Sequence, residues 1–293
     1  MALTYTQLWH SLTPLYSEGE AQAIVRMVLE NEYGWSLTDI VCGKVSDLSL
    51  DEQHRLQKIA DRLQRGEPVQ YVLGQATFCG RSFHVAPGVL IPRPETESLC
   101  RLIMNDFSAQ ATQNGYRQHQ LLHLLDIGTG SGCIAITLSL DMPCVQVEAW
   151  DVSAEALHIA AYNARQLQAP VCLAQHDILC PITAEVCPPG SLDIIVSNPP
   201  YICRQEANAM ASNVLEHEPH LALFVPDDDP LRFYRAIALM GVRALCSGGL
   251  LYFELNPLYA DKVVAMLQGE GYVSPQLIAD DYGKQRFVKC VRP

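Results

Sequence analysis

Apolar positions recur at intervals of three and four through the first part of the chain. The pattern is plainest in AQAIVRMVLENEY (residues 21–33) and LDEQHRLQKIADRLQRG (50–66), and it predicts a helical block over residues 1–66. Two serine–glutamate pairs, Ser17 with Glu20 and Ser49 with Glu52, have capping-box spacing, so each should satisfy first-turn N–H groups of a helix. From Pro68 the pattern shortens to β-like pieces, VQYVLG, ATFCG and RSFHVAPGVLIP, broken by Gly74, Gly80 and Gly88. Residues 67–94 are therefore expected to form a β-hairpin linker between two domains. In its last part, IPRPETE, Pro92 and Pro94 forbid regular ladder pairing, which should hold Arg93 extended and displayed.

Beyond Glu95 the period alternates. Helical patterns at 95–110, 131–140, 153–168, 230–245 and 257–270 are interleaved with the apolar runs LLHLLDIG, VQVEAW, VCLAQHD, LDIIVSN and GLLYFEL. Apolar strands separated by amphipathic helices predict an α/β, Rossmann-like domain over residues 95–293, its sheet mostly parallel with helices on both faces. The last two strands, GYVSPQLIAD and RFVKCVR, are joined by DDYGKQ, which is too short for a crossover helix, so one terminal strand should run antiparallel.

Composition narrows the class. In 293 residues, 49% hydrophobic content is enough for a substantial core. No apolar run approaches the roughly 18 residues needed to span a bilayer, and the first residues lack a secretory layout, so a soluble cytoplasmic protein without membrane partners is expected. The eleven cysteines include no C-x-x-C pair and are read as reduced thiols filling the core. A formal charge of −12 without a Lys/Arg cluster argues against direct nucleic-acid binding and favours a small molecule or a basic protein partner.

The chemistry-bearing residues stand at strand ends. In LLDIGTGSGCIAI, Asp126 ends a strand, and the loop Gly128-Thr129-Gly130-Ser131-Gly132 leads into a helix, where glycines allow close ligand approach and the helix start offers free N–H groups. The spacing is G-x-G-x-G with Cys at position 133, which departs from the dinucleotide fingerprint and favours S-adenosyl-L-methionine. Asp151, about twenty residues on, is placed to accept ribose hydroxyls; Asp177 can accept the adenine amino group, with Ile178 packing on the ring. The competing readings are that Asp151 or Ser153 merely caps the next helix and that Asp177 is a turn residue.

DIIVSNPPYICR raises a different question, because two prolines end the fourth strand abruptly. The Asn198 side-chain oxygen and the Pro199 carbonyl are two acceptors, held by fixed proline φ angles. Together they can grip both N–H bonds of a planar amide or aromatic amine and aim its nitrogen at a methyl donor, with Tyr201 offering a flat face. The motif alone leaves amide and adenine open. A catalytically silent cofactor-binding adaptor is a third reading, opposed by the intact glycines and the intact motif.

These segments, with RGEPVQYVLGQATFCGRSFHVAPGVLIPRPETE (65–97), WDVSAEALHIAAYNA (150–164), EHEPHLALF (216–224) and PLRFYRAI (230–237), resemble the PrmC/HemK family of protein-(glutamine-N5) methyltransferases over nearly the whole chain. The Asn-Pro-Pro-Tyr motif is shared with N6-adenine methyltransferases acting on DNA or RNA, which are the alternative; GVLIPRPETE is far more specific. The resemblance implies a class I methyltransferase fold, and S-adenosyl-L-methionine as cofactor with S-adenosyl-L-homocysteine as product. It implies that the substrate is the glutamine of the Gly-Gly-Gln motif in class 1 peptide chain release factors. By position, it implies that Gly128 to Gly132, Asp151, Ile178 and Asn198 contact the cofactor. Asn198, Pro199, Pro200 and Tyr201 would hold the glutamine, with Arg93 and Glu95 nearby; that residues 1–66 hold the partner is expected from their being a separate helical block on a proline-stiffened linker. One departure stands out: the family's Glu-x-Gly-x-x-Gln after the fifth strand reads Glu254-Leu255-Asn256-Pro257 here.

Overall fold

The computed structural model describes residues 3–113, 121–142, 144–280 and 282–293. It divides into two compact units, one taking the chain up to Gln75 together with Ala211–His217, the other comprising Ala76–Met210 and Glu218–Pro293.

The first unit is helical: α1 (Tyr5–His10), α2 (Glu18–Tyr33), α3 (Leu37–Val41), α4 (Leu50–Leu63) and α5 (Val69–Leu73). Val25, Leu29 and Leu56, spaced as the pattern required, are buried in a common core. The Ser49 box closes both ways, Ser49 N–H donating to Glu52 Oε2 at 2.8 Å and Glu52 N–H to Ser49 Oγ at 3.4 Å. At Ser17 the hydroxyl half forms, accepting from Glu20 N–H at 3.4 Å. VQYVLG corrects the β expectation, for it forms the short helix α5. Valine and tyrosine favour strands only weakly, and here local geometry wins. Pro68 precedes the helix, Gly74 ends it in the left-handed region (φ 69°), and the Arg62 guanidinium donates to the carbonyls of Tyr71 and Val72.

In the rest of the predicted linker, β1 (Gln75–Phe78) and β2 (Arg81–His84) form a hairpin. Cys79 (φ 47°) and Gly80 (φ 72°) both have positive φ, as a two-residue turn matched to strand twist requires. The strand stops at His84, well short of the predicted VAPGVLIP extension. Phe78 and Phe83 meet edge to face at 5.9 Å and pack against α6 (Pro94–Gln113), whose Leu99 and Ile103 are fully buried.

The second unit carries a seven-stranded sheet. Its strands are β3 (Leu122–Ile127), β4 (Val145–Asp151), β5 (Val171–Gln175), β6 (Leu192–Ser197), β9 (Leu245–Glu254), β10 (Val273–Ala279) and β11 (Gln285–Val291); β7 (Ile202–Cys203) and β8 (Phe224–Val225) form a separate parallel pair. Interleaved are α7 (Cys133–Asp141), α8 (Ala154–Gln166), α10 (His220–Leu223), α11 (Arg232–Ala244) and α12 (Ala260–Gly269); α9 (Ser212–His217) falls in the first unit. The order is β10-β11-β9-β6-β3-β4-β5. Five strands, β5, β4, β3, β6 and β9, run parallel. As expected, the last strand is antiparallel, and it lies between β9 and β10. The central strands are apolar on both faces because both are covered: Tyr234, Ile237 and Val263 of α11 and α12 pack on one cluster, while α6 and α7 pack with Ile194 and Val196 in another. Helix α7 is apolar almost all round and buried from Cys133 to Ser139.

Candidate active site

Register places the site. Ile127 on β3 pairs with Trp150 on β4 and with Ser197 on β6, so one step beyond, Gly128 lies between Asp151 and Asn198. Ser197 Oγ fixes that alignment by donating to the Ile127 carbonyl at 2.6 Å. The carboxyl ends of adjacent parallel strands thus open onto one cavity of about 270 Å³, the usual location of a ligand in such sheets. Gly128, Gly130, Asp151, Asp177, Ile178, Asn198, Pro199 and Pro200 all line it.

The glycines divide the work. Gly128 (φ 76°) and Gly130 (φ 54°) have open space where a side chain would begin, leaving bare backbone for a ligand. At Gly132 (φ 83°) an added Cβ would stand 2.9 Å from Ile136 Cδ1 and 3.2 Å from Ala160 Cβ, so this glycine serves the close packing of α7 against α8. The loop residues Thr129 and Ser131 are buried and do not line the cavity, and Thr129 Oγ1 donates to Asp126 Oδ2 at 2.7 Å. Burial pushes the Asp126 carboxyl up to about 7.

Asp151 is held by backbone donors. Gly130 N–H reaches Oδ2 and Ser153 N–H reaches Oδ1, both at 2.9 Å, while Ser153 takes the cap of α8 by accepting from Ala156 N–H. Capping therefore falls to Ser153, and the Asp151 carboxylate faces the cavity with lone pairs to spare for hydroxyl groups. Burial raises its pKa against these backbone hydrogen bonds. Asp177 Oδ1 accepts from Leu179 N–H at 2.9 Å, bending the chain so that Ile178 lies against the cavity. A bare glycine backbone, an anchored carboxylate and an apolar wall form a cradle that a nucleoside-bearing cofactor fits.

Asn198 stands on a buried network that the sequence did not announce. Its Nδ2 donates to Thr96 Oγ1 at 3.3 Å, Thr96 Oγ1 donates to Glu254 Oε2 at 2.7 Å, and the Tyr201 hydroxyl donates to Glu254 Oε1 at 3.2 Å. Glu254 is 1% exposed. Burial pushes its carboxyl up to about 7, opposed by the hydrogen bond from Thr96, the charge of Arg286 and the hydrogen bond from Tyr201. Tyr201 is not among the residues lining the cavity; its ring packs against the core and its phenol is raised by desolvation.

Arg93 and Glu95 also lie away from the cavity lining. The Arg93 guanidinium pairs with Glu218, whose other oxygen accepts from Ile91 N–H at 3.1 Å, so Glu218 clasps the IPRP segment at two points. Glu95 sits in the first turn of α6. Arg93→Ala strands the buried Glu218 carboxylate and is expected to cost about 2–3 kcal/mol of stability, measured as a shift in the urea midpoint. The departure at Asn256 also has a structural role. Its Nδ2 donates to the Tyr201 carbonyl (3.3 Å) and to Glu206 (3.1 Å and 3.2 Å), and its Oδ1 accepts from Leu258 N–H at 3.0 Å. Asn256→Gly, which restores the family residue, should therefore destabilise this chain by about 1–2 kcal/mol on the same measurement.

The cavity wall also includes Gly88, Leu221 and Phe233, to which the sequence assigns no role; all three fall in segments that carry the family resemblance. Leu221, 59% exposed, stands among the lining residues.

Comparison with known proteins identifies the family and the fold. The methyltransferase small domain family matches residues 102–222, and the PrmC N-terminal domain family matches residues 10–74. A release factor glutamine methyltransferase of Bacteroides thetaiotaomicron is 45% identical over 282 residues, covering 96% of each chain. One from Flavobacterium psychrophilum is 38% identical over 287 residues, 97% of this chain and 96% of its own. Among solved structures, a methyltransferase from Pyrococcus furiosus shares the fold with a TM-score of 0.51 at 17% identity, covering 80% of this chain and 98% of that one.

Proposed function

The chain belongs to the release factor glutamine methyltransferase family, PrmC/HemK, and from that premise we propose that it methylates the glutamine of the Gly-Gly-Gln motif in class 1 peptide chain release factors. The methyl goes to the side-chain amide nitrogen, N5. The observation that carries this reading is the register that puts Asn198 and Pro199 beside the glycine loop, at the wall of the cavity that Asp151 also lines.

S-adenosyl-L-methionine supplies an electrophilic methyl group on a sulfonium centre and leaves as S-adenosyl-L-homocysteine. The chain's part is to bind and aim. Gly128 and Gly130 offer backbone, Asp151 accepts from ribose, and Asp177 with Ile178 takes the adenine end. Asn198 Oδ1 and the Pro199 carbonyl hold the two amide N–H bonds, so the nitrogen electron pair points along the line of displacement. With the cofactor bound, the methyl group would pass to the nitrogen that Asn198 and Pro199 hold, and the proton that nitrogen gives up would go to water. No strong general base is required.

Residues 1–66 are read as the domain that recognises the release factor, 67–94 as the linker and 95–293 as the transfer domain. Adenine N6 would meet the same two acceptors, but the charge of −12 and the named activities of the relatives favour the amide. Mass spectrometry of a release factor after incubation with cofactor and protein decides the matter. One added methyl on the Gly-Gly-Gln peptide is expected, and duplex DNA should gain none; methyl on DNA and none on the release factor overturns the reading.

A further inference from the structure

Resting on that reading, the geometry beneath Asn198 points to two residues outside the cavity that set the orientation of its amide. A threonine hydroxyl has one proton. Thr96 gives that proton to Glu254 Oε2 at 2.7 Å, so the contact it makes with Asn198 at 3.3 Å must be one in which Thr96 accepts. The Asn198 NH2 group is thereby drawn to Thr96, and Oδ1, on the other edge of the planar amide, is left pointing away from Thr96. That is the arrangement a substrate amide needs, since it brings N–H donors and requires an acceptor. We propose that Glu254 and Thr96 form a positioning relay that fixes the Asn198 amide with its oxygen toward the substrate.

The relay has no slack. Thr96 is 2% exposed and Glu254 1%, so water does not exchange freely with either partner. The other oxygen of Glu254 is engaged by the Tyr201 hydroxyl at 3.2 Å, and the Tyr234 hydroxyl donates to the Glu254 carbonyl at 3.3 Å. Glu254 ends β9, which is flanked by β6 and β11, so the carboxylate is set by the sheet and not by a loop. Thr96 lies in the first turn of α6.

The polarity of the relay depends on the ionised form of Glu254. Once protonated, Glu254 becomes a donor to Thr96, which frees the Thr96 hydroxyl to donate to Asn198 Oδ1 and to turn the amide over. The charged or titratable groups facing Glu254 are Tyr201 beside its carboxyl, Tyr234 on α11, Arg286 on β11 and Glu95 on α6, with Arg286 favouring the ionised form. Its carboxyl is raised to about 7, so the working orientation is held above that pH and lost below it.

The test compares Thr96→Val, which keeps the shape without the hydroxyl, with Thr96→Ser, which keeps the hydroxyl. Release-factor methylation is followed by mass spectrometry, and cofactor affinity by calorimetry. Thr96→Val should lower kcat roughly 10- to 100-fold, with cofactor affinity unchanged and with the acid limb near neutral pH flattened relative to the parent protein. Thr96→Ser should recover most of the rate. Burial also pushes the Asp126 carboxyl up to about 7, and Asp126 is present in all three proteins, so the comparison is made between their profiles. A Thr96→Val protein with the parent kcat, or one that loses cofactor affinity in step with rate, overturns the relay. Absence of release-factor methylation by the parent protein instead overturns the activity on which the relay rests.

Discussion

Replacing Asn198 with alanine is expected to slow methyl transfer by about 10²–10³-fold while leaving cofactor affinity within a few fold. The substrate amide nitrogen is a poor nucleophile because its electron pair is delocalised into the carbonyl. What the site contributes is aim, and Asn198 Oδ1 is one of only two acceptors proposed to supply it. Alanine removes that acceptor and leaves Pro199 alone to hold a group that can then rotate about its remaining hydrogen bond. The cofactor wall is otherwise untouched, since Asp151, Asp177 and the glycines sit on other strands and loops. Asn198→Asp sharpens the result: it restores two acceptor oxygens but brings a second carboxylate toward Glu254 and has no proton for Thr96. It should be nearly as impaired. Single-turnover rates with saturating cofactor, alongside calorimetric binding, check both; an Asn198→Ala protein that methylates a release factor at the parent rate removes Asn198 from the reaction.

Replacing Asp151 with alanine should act on the other side of the cavity and in the opposite parameter. Hydrogen bonds to a charged acceptor contribute about 1.5–3 kcal/mol, so cofactor affinity should fall roughly 10- to 100-fold. The rate at saturating cofactor should change little. Asp151 also anchors the loop, through Gly130 N–H at 2.9 Å, so Asp151→Asn is the informative companion: it retains an oxygen for the loop but loses the charge. The pH dependence has a definite sign. Burial raises the Asp151 pKa, and ribose is accepted by the ionised form, so affinity is full at high pH and declines as pH falls through that raised value. In Asp151→Ala this part of the decline should vanish. Equal affinity for parent and Asp151→Ala proteins would reject the ribose role.

Much of this site could be read from the chain because each element was local. Asp126, Asp151 and Asn198 each follow a run of strand-forming residues, and strand ends in a parallel sheet meet at one edge whatever the loops do. The glycine loop likewise carries its conformation in its own residues. Thr96 and Glu254 could not be found this way. They are separated by 158 positions, and their contact arises only when the first turn of α6 meets the end of β9. Tyr201 shows the same limit in reverse: an aromatic beside two prolines reads as a stacking face, yet its hydroxyl finds the buried carboxylate of Glu254. VQYVLG misled for a further reason, since strand-forming composition is a weak signal beside a proline, a left-handed glycine and an arginine that takes up two helix-end carbonyls.

The position of β11 has a consequence for how the protein is made. Because it pairs with β9 on one side and β10 on the other, neither neighbour is complete until residues 285–291 have left the ribosome. Until then β9 presents a bare edge, Arg286 is absent from beside Glu254, and the support under Asn198 is unfinished. An open apolar strand edge invites mispairing until its partner arrives. A chain cut before Gln285 should therefore be aggregation-prone, seen as loss of soluble protein relative to the full chain, because β9 keeps an open edge and Glu254 lacks the neighbouring charge of Arg286.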